Sequence, residues 1–226
     1  MHDKQAPRSF NAIALPHALN HDNSYPGKML RHLLQDVAGV HGGRFLDLGG
    51  GWGAYTVLAR DLGFDALSID REDAAADVPS VVCDIAEDTF PIESSSIDVV
   101  FSKSVLEHFY ITQLPHLMQE VVRVLKPGGA FVVMTPDWDS NVRNFYRVFS
   151  HVTPYTQESL SQCLRMYGFD SVKVDKLVQL PITWDNPFFS SLSRLTARLP
   201  LPRSISKWVR WSKELSLIGV GYKPIS

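Results

Sequence analysis

The sequence predicts an α/β fold in which a doubly wound, mostly parallel sheet carries helices on both faces and ends in an antiparallel edge hairpin. Short apolar segments alternate with amphipathic helical segments between residues 44 and 135. The apolar segments are nearly uninterrupted, as in strands buried on both faces, and this alternation is typical of crossover connections between parallel strands. The pattern changes after residue 156, where a long connection separates two late strands. We therefore expect the last two strands to pair in antiparallel fashion.

The individual elements follow from local patterns. Pro26 opens the first predicted helix, in which apolar residues recur at helical spacing until the Gly42-Gly43 pair ends it. Further helices are predicted over residues 54–62, 114–125 and 157–167, each followed within a few residues by glycine. Strands are predicted over residues 44–48, 65–70, 78–85, 97–102, 130–135, 171–180 and 217–222.

Length and composition indicate one main domain. The chain has 226 residues, of which 45% are apolar, so it can bury a full hydrophobic core. We predict an N-terminal arm and cover helix over residues 1–43 and the main domain over residues 44–226. Residues 181–216 are predicted to be an amphipathic insertion before the last strand.

Charge and cysteine content exclude several classes of protein. The formal net charge is −2, whereas general nucleic-acid binders carry a basic excess, so we expect no nucleic-acid partner. The two cysteines lie 80 residues apart, which matches neither a disulfide framework nor a zinc motif. The first residues do not resemble a signal peptide, and no apolar run is long enough for a membrane span. We expect a cytoplasmic protein.

The most informative segment is FLDLGGGWGAY, over residues 45–55. A predicted strand ends, four glycines follow within five positions, and a predicted helix begins. Glycine allows a ligand to approach the backbone closely, and the helix N-terminus offers unpaired N–H groups. In an open parallel sheet, ligands bind beyond the carboxyl ends of the strands. The segment therefore predicts a ligand site.

Two kinds of ligand fit this turn. Gly49-x-Gly51-x-x-Ala54 satisfies a dinucleotide-binding fingerprint, and Asp70 at the end of the second strand can bind a ribose hydroxyl. A nicotinamide-dependent oxidoreductase is therefore one alternative. Asp47 lies just before the glycines, where its carboxylate would repel a pyrophosphate and would suit a cationic or amino-bearing ligand.

The segment Leu46-Asp47-x-Gly49-x-Gly51-x-Gly53 resembles motif I of the class I S-adenosylmethionine-dependent methyltransferases. The other landmarks of that family follow in order: Asp70, then residues 83–85, residues 97–109 and the LKPGG segment at residues 125–129. The resemblance covers about residues 40–180 and implies a Rossmann-like, seven-stranded sheet. It also implies that S-adenosylmethionine is the cofactor.

The resemblance assigns roles toward the methionine and ribose halves of that cofactor. Gly49, Gly51 and Gly53 would let the backbone approach the methionine half. Asp47 would meet its ammonium group, and the alternative for Asp47 is a carboxylate that caps the turn. Asp70 would accept hydrogen bonds from the ribose hydroxyls, and its alternative is a helix cap.

Further residues are assigned to the adenine and to the reaction end. Asp84 would accept a hydrogen bond from the exocyclic amine of adenine, with Ile85 packed near the base. Arg71 would lie on the adenine face or in solvent. Ser102 is predicted to contact the cofactor at the end of the fourth strand. His108 is the candidate catalytic base because its ordinary pKa is about 6.5, and the alternative is a packed histidine.

We predict no metal ion. Metal-dependent methyl transfer to catechols would require an aspartate after the fourth strand and an Asp-Asn pair after the fifth, and the pair is absent. No cluster of histidine and cysteine with ligand spacing is present in the sequence.

The acceptor is predicted to contact the N-terminal arm, residues 136–156 and residues 181–216. The last segment has six basic residues against two acidic ones, interleaved with aromatic residues. Such a segment can lie on an anionic membrane surface, and the alternative is a cover over the sheet edge. Residues 151–169 also resemble a stretch in methyltransferases of lipid and envelope-polysaccharide pathways.

The sequence therefore predicts an S-adenosylmethionine-dependent methyltransferase with a small or lipid-linked acceptor, most simply by O-methylation through in-line displacement. The protein would be cytoplasmic. If residues 181–216 bind lipid, it would also be peripheral to the inner membrane surface. Two alternatives remain open at this point: a nicotinamide-dependent oxidoreductase, and a cofactor-binding partner protein without catalysis.

Overall fold

A computed structural model describes residues 25–75, 77–200 and 206–225. Within these ranges, seven strands form one sheet. The strands are β1 (Arg44–Leu48), β2 (Asp65–Asp70), β3 (Ser80–Val82), β4 (Ile97–Lys103), β5 (Leu125–Pro136), β6 (Asp170–Leu177) and β7 (Ser216–Tyr222). Their order is β3-β2-β1-β4-β5-β7-β6, with β1 to β5 parallel and β7 antiparallel to both of its neighbours. The predicted α/β fold is confirmed.

Helices cover both faces of this sheet. They are α1 (Tyr25–Arg31), which continues as the π-helical segment His32–Val37, α2 (Ala54–Asp61), α3 (Leu114–Val124), α4 (Trp138–Asn141), α5 (Gln157–Met166), α6 (Pro187–Arg198) and α7 (Lys207–Lys213). Short 3₁₀ turns occur at Leu106–His108, Phe145–Arg147 and Pro181–Thr183. The helices predicted over residues 54–62, 114–125 and 157–167 each end one residue earlier than expected. None of the described helices is long and apolar enough to cross a bilayer.

Three strand predictions differ from the structure by more than one residue at an end, and β4 and β7 are each one residue longer than predicted. The third strand is shorter than residues 78–85, because a turn in which Asp84 accepts the N–H of Ala86 follows it directly. The fifth strand begins at Leu125 instead of residue 130, since the LKPGG segment already pairs with β4 through an irregular register. The sixth strand covers residues 170–177 instead of 171–180.

Two hydrophobic cores sandwich the sheet. Alternate residues of one strand serve opposite cores: Phe45 packs with α1 and α2, whereas Leu46 packs toward α3 and α5. The cover helix buries Met29 and Leu30 completely against the first of these cores. Because both faces are covered, the strands are nearly all apolar, and the polar ends of the strands are left to form a site.

Candidate functional site

A cleft of about 530 Å³ opens beyond the carboxyl ends of β1, β2 and β4. The strand order explains the position of this cleft. The chain passes from β1 to β2 and β3 on one side of β1, and β4 lies on the other side of β1. Ligands bind where the strand order reverses in this way. The residues that line the cleft are Asp47, Gly49, Gly50, Gly51, Trp52, Ala54, Tyr55, Asp70, Arg71, Glu72, Ile85, Lys103, Ser104, Val105, His108, Phe109, Phe149 and Ser150.

The glycine-rich turn needs glycine for two different reasons. Gly49, Gly51 and Gly53 have φ angles of 69°, 54° and 80°, in the left-handed region that other residues rarely adopt. Gly50 is needed for space instead. A Cβ atom at this position would lie 2.3 Å from Ser68 Oγ and 2.7 Å from Asp47 Oδ2. The spacing of the glycines did not reveal this second requirement.

Asp47 places a carboxylate in a dry part of the cleft. Its side chain is almost completely buried, and Thr56 Oγ1 donates a hydrogen bond to Oδ2 over 2.9 Å. Burial raises the pKa of Asp47 to about 7, although the Thr56 hydrogen bond opposes this shift. A buried carboxylate of this kind favours a cationic partner, because a positive charge offsets the cost of burying the negative one.

Asp70 joins the second strand to the glycine-rich turn. Gly51 donates its backbone N–H to Asp70 Oδ2 over 2.9 Å, and the Asp70 side chain also lines the cleft. Removing this carboxylate would therefore change both the turn and the cleft surface. Arg71 lines the cleft next to it, with Nε 3.5 Å from Asp84 Oδ2 in a partly exposed ion pair.

Seven of the ten predicted site residues line the cleft, and three do not. Gly53 lies behind the turn, at the N-terminus of α2. Asp84 caps the turn after β3 through the N–H of Ala86, although its neighbour Ile85 lines the cleft. Ser102 is completely buried in β4, and Lys103 and Ser104 line the cleft instead. Contact of Asp84 and Ser102 with a cofactor stays a prediction.

The other end of the cleft is formed by His108 and its neighbours. His108 Nδ1 lies 3.1 Å from the carbonyl oxygen of Ser150, and its ring lies 4.8 Å from the ring of His151. Burial lowers the pKa of His108, so its imidazole is mostly neutral at pH 7. The adjoining Glu107 is completely buried and accepts a hydrogen bond from Thr135 Oγ1 over 2.9 Å.

Comparison with known proteins identifies the family of this chain. Residues 19–174, more than half of the chain, match the model of a family described as a methyltransferase domain. The chain belongs to the class I S-adenosylmethionine-dependent methyltransferases. This membership selects S-adenosylmethionine over the dinucleotide alternative for the glycine-rich turn.

The curated relatives of this chain are longer than the chain itself. A sterol 4-C-methyltransferase of Caenorhabditis elegans is 27% identical over 147 residues, which are 59% of this chain and 42% of that protein. The chain spans less than half the length of the curated relatives it matches.

Solved structures share the fold of this methyltransferase. A methyltransferase from Archaeoglobus fulgidus superposes with a TM-score of 0.63 at 18% identity, covering 87% of this chain and 94% of that one. A phosphoethanolamine N-methyltransferase of Haemonchus contortus gives a TM-score of 0.56 at 17% identity, covering 90% of this chain and 58% of that one.

The cleft fits S-adenosylmethionine in charge and in shape. The buried Asp47 carboxylate suits the ammonium of the methionine half, and the glycine backbone leaves room beside it. Asp70 offers acceptor oxygens for ribose hydroxyls, and Ile85 offers an apolar surface for the base. The volume of about 530 Å³ lies within the usual range for sites that bind molecules of this size.

Sequence reasoning missed two aromatic residues that line the cleft. Trp52 lies between Gly51 and Gly53, and Tyr55 lies two residues after Gly53, so their places in the turn could have indicated them. Lys103 lies with Nζ 5.5 Å from the centre of the Tyr55 ring, and burial lowers the pKa of this lysine. Phe149 is 93% exposed at the cleft, within the aromatic and basic segment predicted to contact the acceptor.

The raised pKa of Asp47 predicts a pH dependence of cofactor-product binding. Only the ionised carboxylate attracts an ammonium group, so affinity for S-adenosylhomocysteine should rise about tenfold from pH 6 to pH 8. Without ligand, the same shift makes the folded protein lose stability as pH rises from the ordinary pKa of 3.8 toward about 7. Calorimetric titrations across this range test the first effect, and Asp47→Asn should be flat. An equal slope in that variant would contradict the assignment.

Proposed function

We propose that this protein transfers the methyl group of S-adenosylmethionine to an oxygen of a small or lipid-linked acceptor, in the cytoplasm at the surface of an anionic membrane. The main support for this proposal is the cleft, which has Asp47 and Asp70 at one end and the neutral imidazole of His108 at the other. Both cysteines are free thiols, as in a reducing compartment.

The residues of the cleft account for the chemistry of methyl transfer. S-adenosylmethionine supplies a methyl group on a sulfonium, whose sulfur takes the electron pair of the breaking C–S bond. Asp47 and Asp70 fix two points of this molecule, so the acceptor oxygen can align in line with that bond. Such alignment is worth about 7–11 kcal/mol in favourable cases. His108 can accept the proton that an acceptor hydroxyl releases, because burial keeps its imidazole neutral.

The acceptor class is supported by two similar proteins, one named for a sterol and the other for phosphoethanolamine. A radiolabelling assay tests the proposal: S-adenosylmethionine labelled in its methyl group is incubated with the protein and with lipid and water-soluble extracts of the producing cells. We expect label in a small-molecule or lipid fraction, and none with Asp70→Ala. Label in proteins or free amino acids only would contradict the proposal.

Helix α6 supports contact with a membrane, because its polarity is inverted. Its small polar residues face inward: Ser193 is completely buried and bonds Ser212 of α7 over 2.8 Å, and Thr196 accepts from Trp208 Nε1 over 3.1 Å. Phe189 packs against Trp208, but the other large apolar residues face outward in one stripe. Phe188, Leu192, Leu195 and Leu199 are 69%, 39%, 56% and 44% exposed, at the spacing of a helical face.

Basic side chains accompany this apolar stripe. Arg194 and Arg198 are exposed on α6, and Lys207 is exposed at the start of α7. An apolar face sinks into the acyl boundary while neighbouring cations meet anionic headgroups, at about 1 kcal/mol each. A cover over the sheet edge would need the apolar stripe to face inward instead. The orientation of α6 therefore favours an anionic bilayer as its partner.

Vesicle flotation tests this contact. We expect the protein to float with vesicles of phosphatidylcholine and phosphatidylglycerol, much less with phosphatidylcholine alone, and less at high salt. Leu192→Glu with Leu195→Glu should abolish flotation. Met166→Glu, at an apolar residue of α5 that is 71% exposed, is the matched control and should leave flotation unchanged. Equal behaviour of both variants, or no flotation of the unaltered protein, would contradict the contact.

A further inference from the structure

Three side chains with metal-ligand chemistry converge at the acceptor end of the cleft. Glu107 and His108 belong to the 3₁₀ turn after β4, and His151 lies in the segment before α5. One ligand atom from each of the three lies within 4.8 Å of the others. The prediction of no metal ion did not consider this group, because His108 and His151 lie 43 positions apart in the sequence.

Backbone hydrogen bonds hold the two segments together. Val152 and Thr153 both donate their N–H groups to the carbonyl oxygen of Glu107, over 2.8 Å and 3.1 Å. His108 Nδ1 meets the carbonyl oxygen of Ser150 at 3.1 Å. His151 thus belongs to a segment that is fixed beside Glu107, and its approach does not depend on the side chains alone.

The cluster contains a buried carboxylate oxygen that no hydrogen bond satisfies among the described residues. Glu107 is completely buried, and its Oε1 accepts no hydrogen bond, with His151 Nε2 at 4.0 Å. Leaving such an atom unsatisfied costs about 1–3 kcal/mol, and more for a charged group. A cation held between this oxygen and His151 Nε2 would remove this cost.

We propose that Glu107, His108 and His151 bind a divalent transition-metal ion, Zn²⁺ before others. Two imidazoles and one carboxylate are a ligand set that zinc takes in catalytic sites, where a fourth position stays open. Zinc ligands lie about 3.3 Å from each other at bond lengths of about 2.0–2.1 Å, so side-chain rotations must draw the three atoms together.

Neighbouring groups are already placed to orient these ligands. The contact with Ser150 assigns the proton of His108 to Nδ1, so Nε2 carries the lone pair. Thr135 holds the other oxygen of Glu107 at 2.9 Å, which directs Oε1 toward His151. Partners of this kind commonly orient the histidine and carboxylate ligands of metal sites.

The use of the ion rests on the proposed function, whereas its binding does not. An acceptor hydroxyl at the open position would have a lowered pKa and would release its proton to solvent water. The acceptor oxygen would then attack the methyl carbon as the C–S bond breaks and sulfur takes the electron pair. His108 would then be a ligand of the ion, so the role of base proposed for it above applies only to the metal-free protein.

Metal titration of the untagged protein, first dialysed against a chelator, tests the site. We expect one equivalent of Zn²⁺ to bind by calorimetry and one of Co²⁺ to give visible absorption bands. Glu107→Gln and His151→Ala should each weaken binding by about 100-fold or more. His41→Ala removes an exposed histidine outside the cluster and should change nothing.

The same samples separate this proposal from the function itself. Each variant is also titrated with S-adenosylhomocysteine, which reports on folding and on the cofactor cleft. No stoichiometric metal binding, or equal binding in all variants, would overturn the metal site even where S-adenosylhomocysteine binds normally. Metal binding without S-adenosylhomocysteine binding would support the site and would contradict the proposed function.

Discussion

Asp70→Ala is expected to weaken the binding of S-adenosylhomocysteine by about 100-fold or more. The carboxylate has two tasks: it accepts the N–H of Gly51 over 2.9 Å, and it faces the cleft where ribose hydroxyls would donate to it. Hydrogen bonds to charged groups are worth about 1.5–3 kcal/mol each, so losing the two that the ribose hydroxyls would donate accounts for this factor. Isothermal titration calorimetry measures the effect directly.

The control for this prediction removes an exposed acidic side chain that does not line the cleft. Asp61→Ala, at the end of α2, carries the same change in net charge and should leave the affinity within about twofold of the original. Asp70→Asn keeps an acceptor for Gly51 and should lie between the two. Equal affinities for Asp70→Ala and Asp61→Ala would show that Asp70 does not bind the ligand.

Gly50→Ala is expected to weaken the binding of S-adenosylhomocysteine by about 100-fold and to destabilise the protein. The added Cβ would lie 2.3 Å from Ser68 Oγ and 2.7 Å from Asp47 Oδ2, and Thr56 holds the Asp47 side chain in place. Even if Ser68 rotates away, either the Asp47 carboxylate or the turn must shift, and both form the cleft. Overpacking of this kind costs about 1–3 kcal/mol, which lowers Tm by about 3–10 °C at this chain length.

Gly42→Ala is the matched control for Gly50→Ala. A Cβ at Gly42 meets no atom within 4 Å, so stability and affinity should both stay close to their original values. Thermal unfolding and calorimetry of the two variants give the comparison. If Gly50→Ala bound S-adenosylhomocysteine as well as Gly42→Ala does, the packing of the turn against Ser68 would be wrong.

Local patterns predicted most of the fold, because the sheet is built from short apolar strands between glycine-terminated helices. Gly49, Gly51 and Gly53 were also predictable from the local sequence, because a left-handed backbone favours glycine at that position itself. Gly50 was missed because its requirement comes from Ser68, which lies on the next strand. The limits of β3 and β5 were missed because a capped turn and an irregular register decide them.

The candidate site was predictable only where its residues are close in sequence. Asp47 and the glycines form one turn, and Asp70 ends the neighbouring strand. The approach of His151 to Glu107 depends on tertiary hydrogen bonds that no periodicity reveals. The same holds for α6, where composition predicted an amphipathic segment but could not show that Ser193 faces inward and Leu195 outward.

We infer that the cleft binds S-adenosylmethionine through Asp47, Asp70 and the glycine-rich turn. Isothermal titration with S-adenosylhomocysteine measures this binding, with NADH as the parallel ligand. We predict micromolar binding of S-adenosylhomocysteine that is lost in Asp47→Ala and Asp70→Ala, and no binding of NADH. Binding of NADH alone would contradict the account and would make Gly49-x-Gly51-x-x-Ala54 a dinucleotide turn.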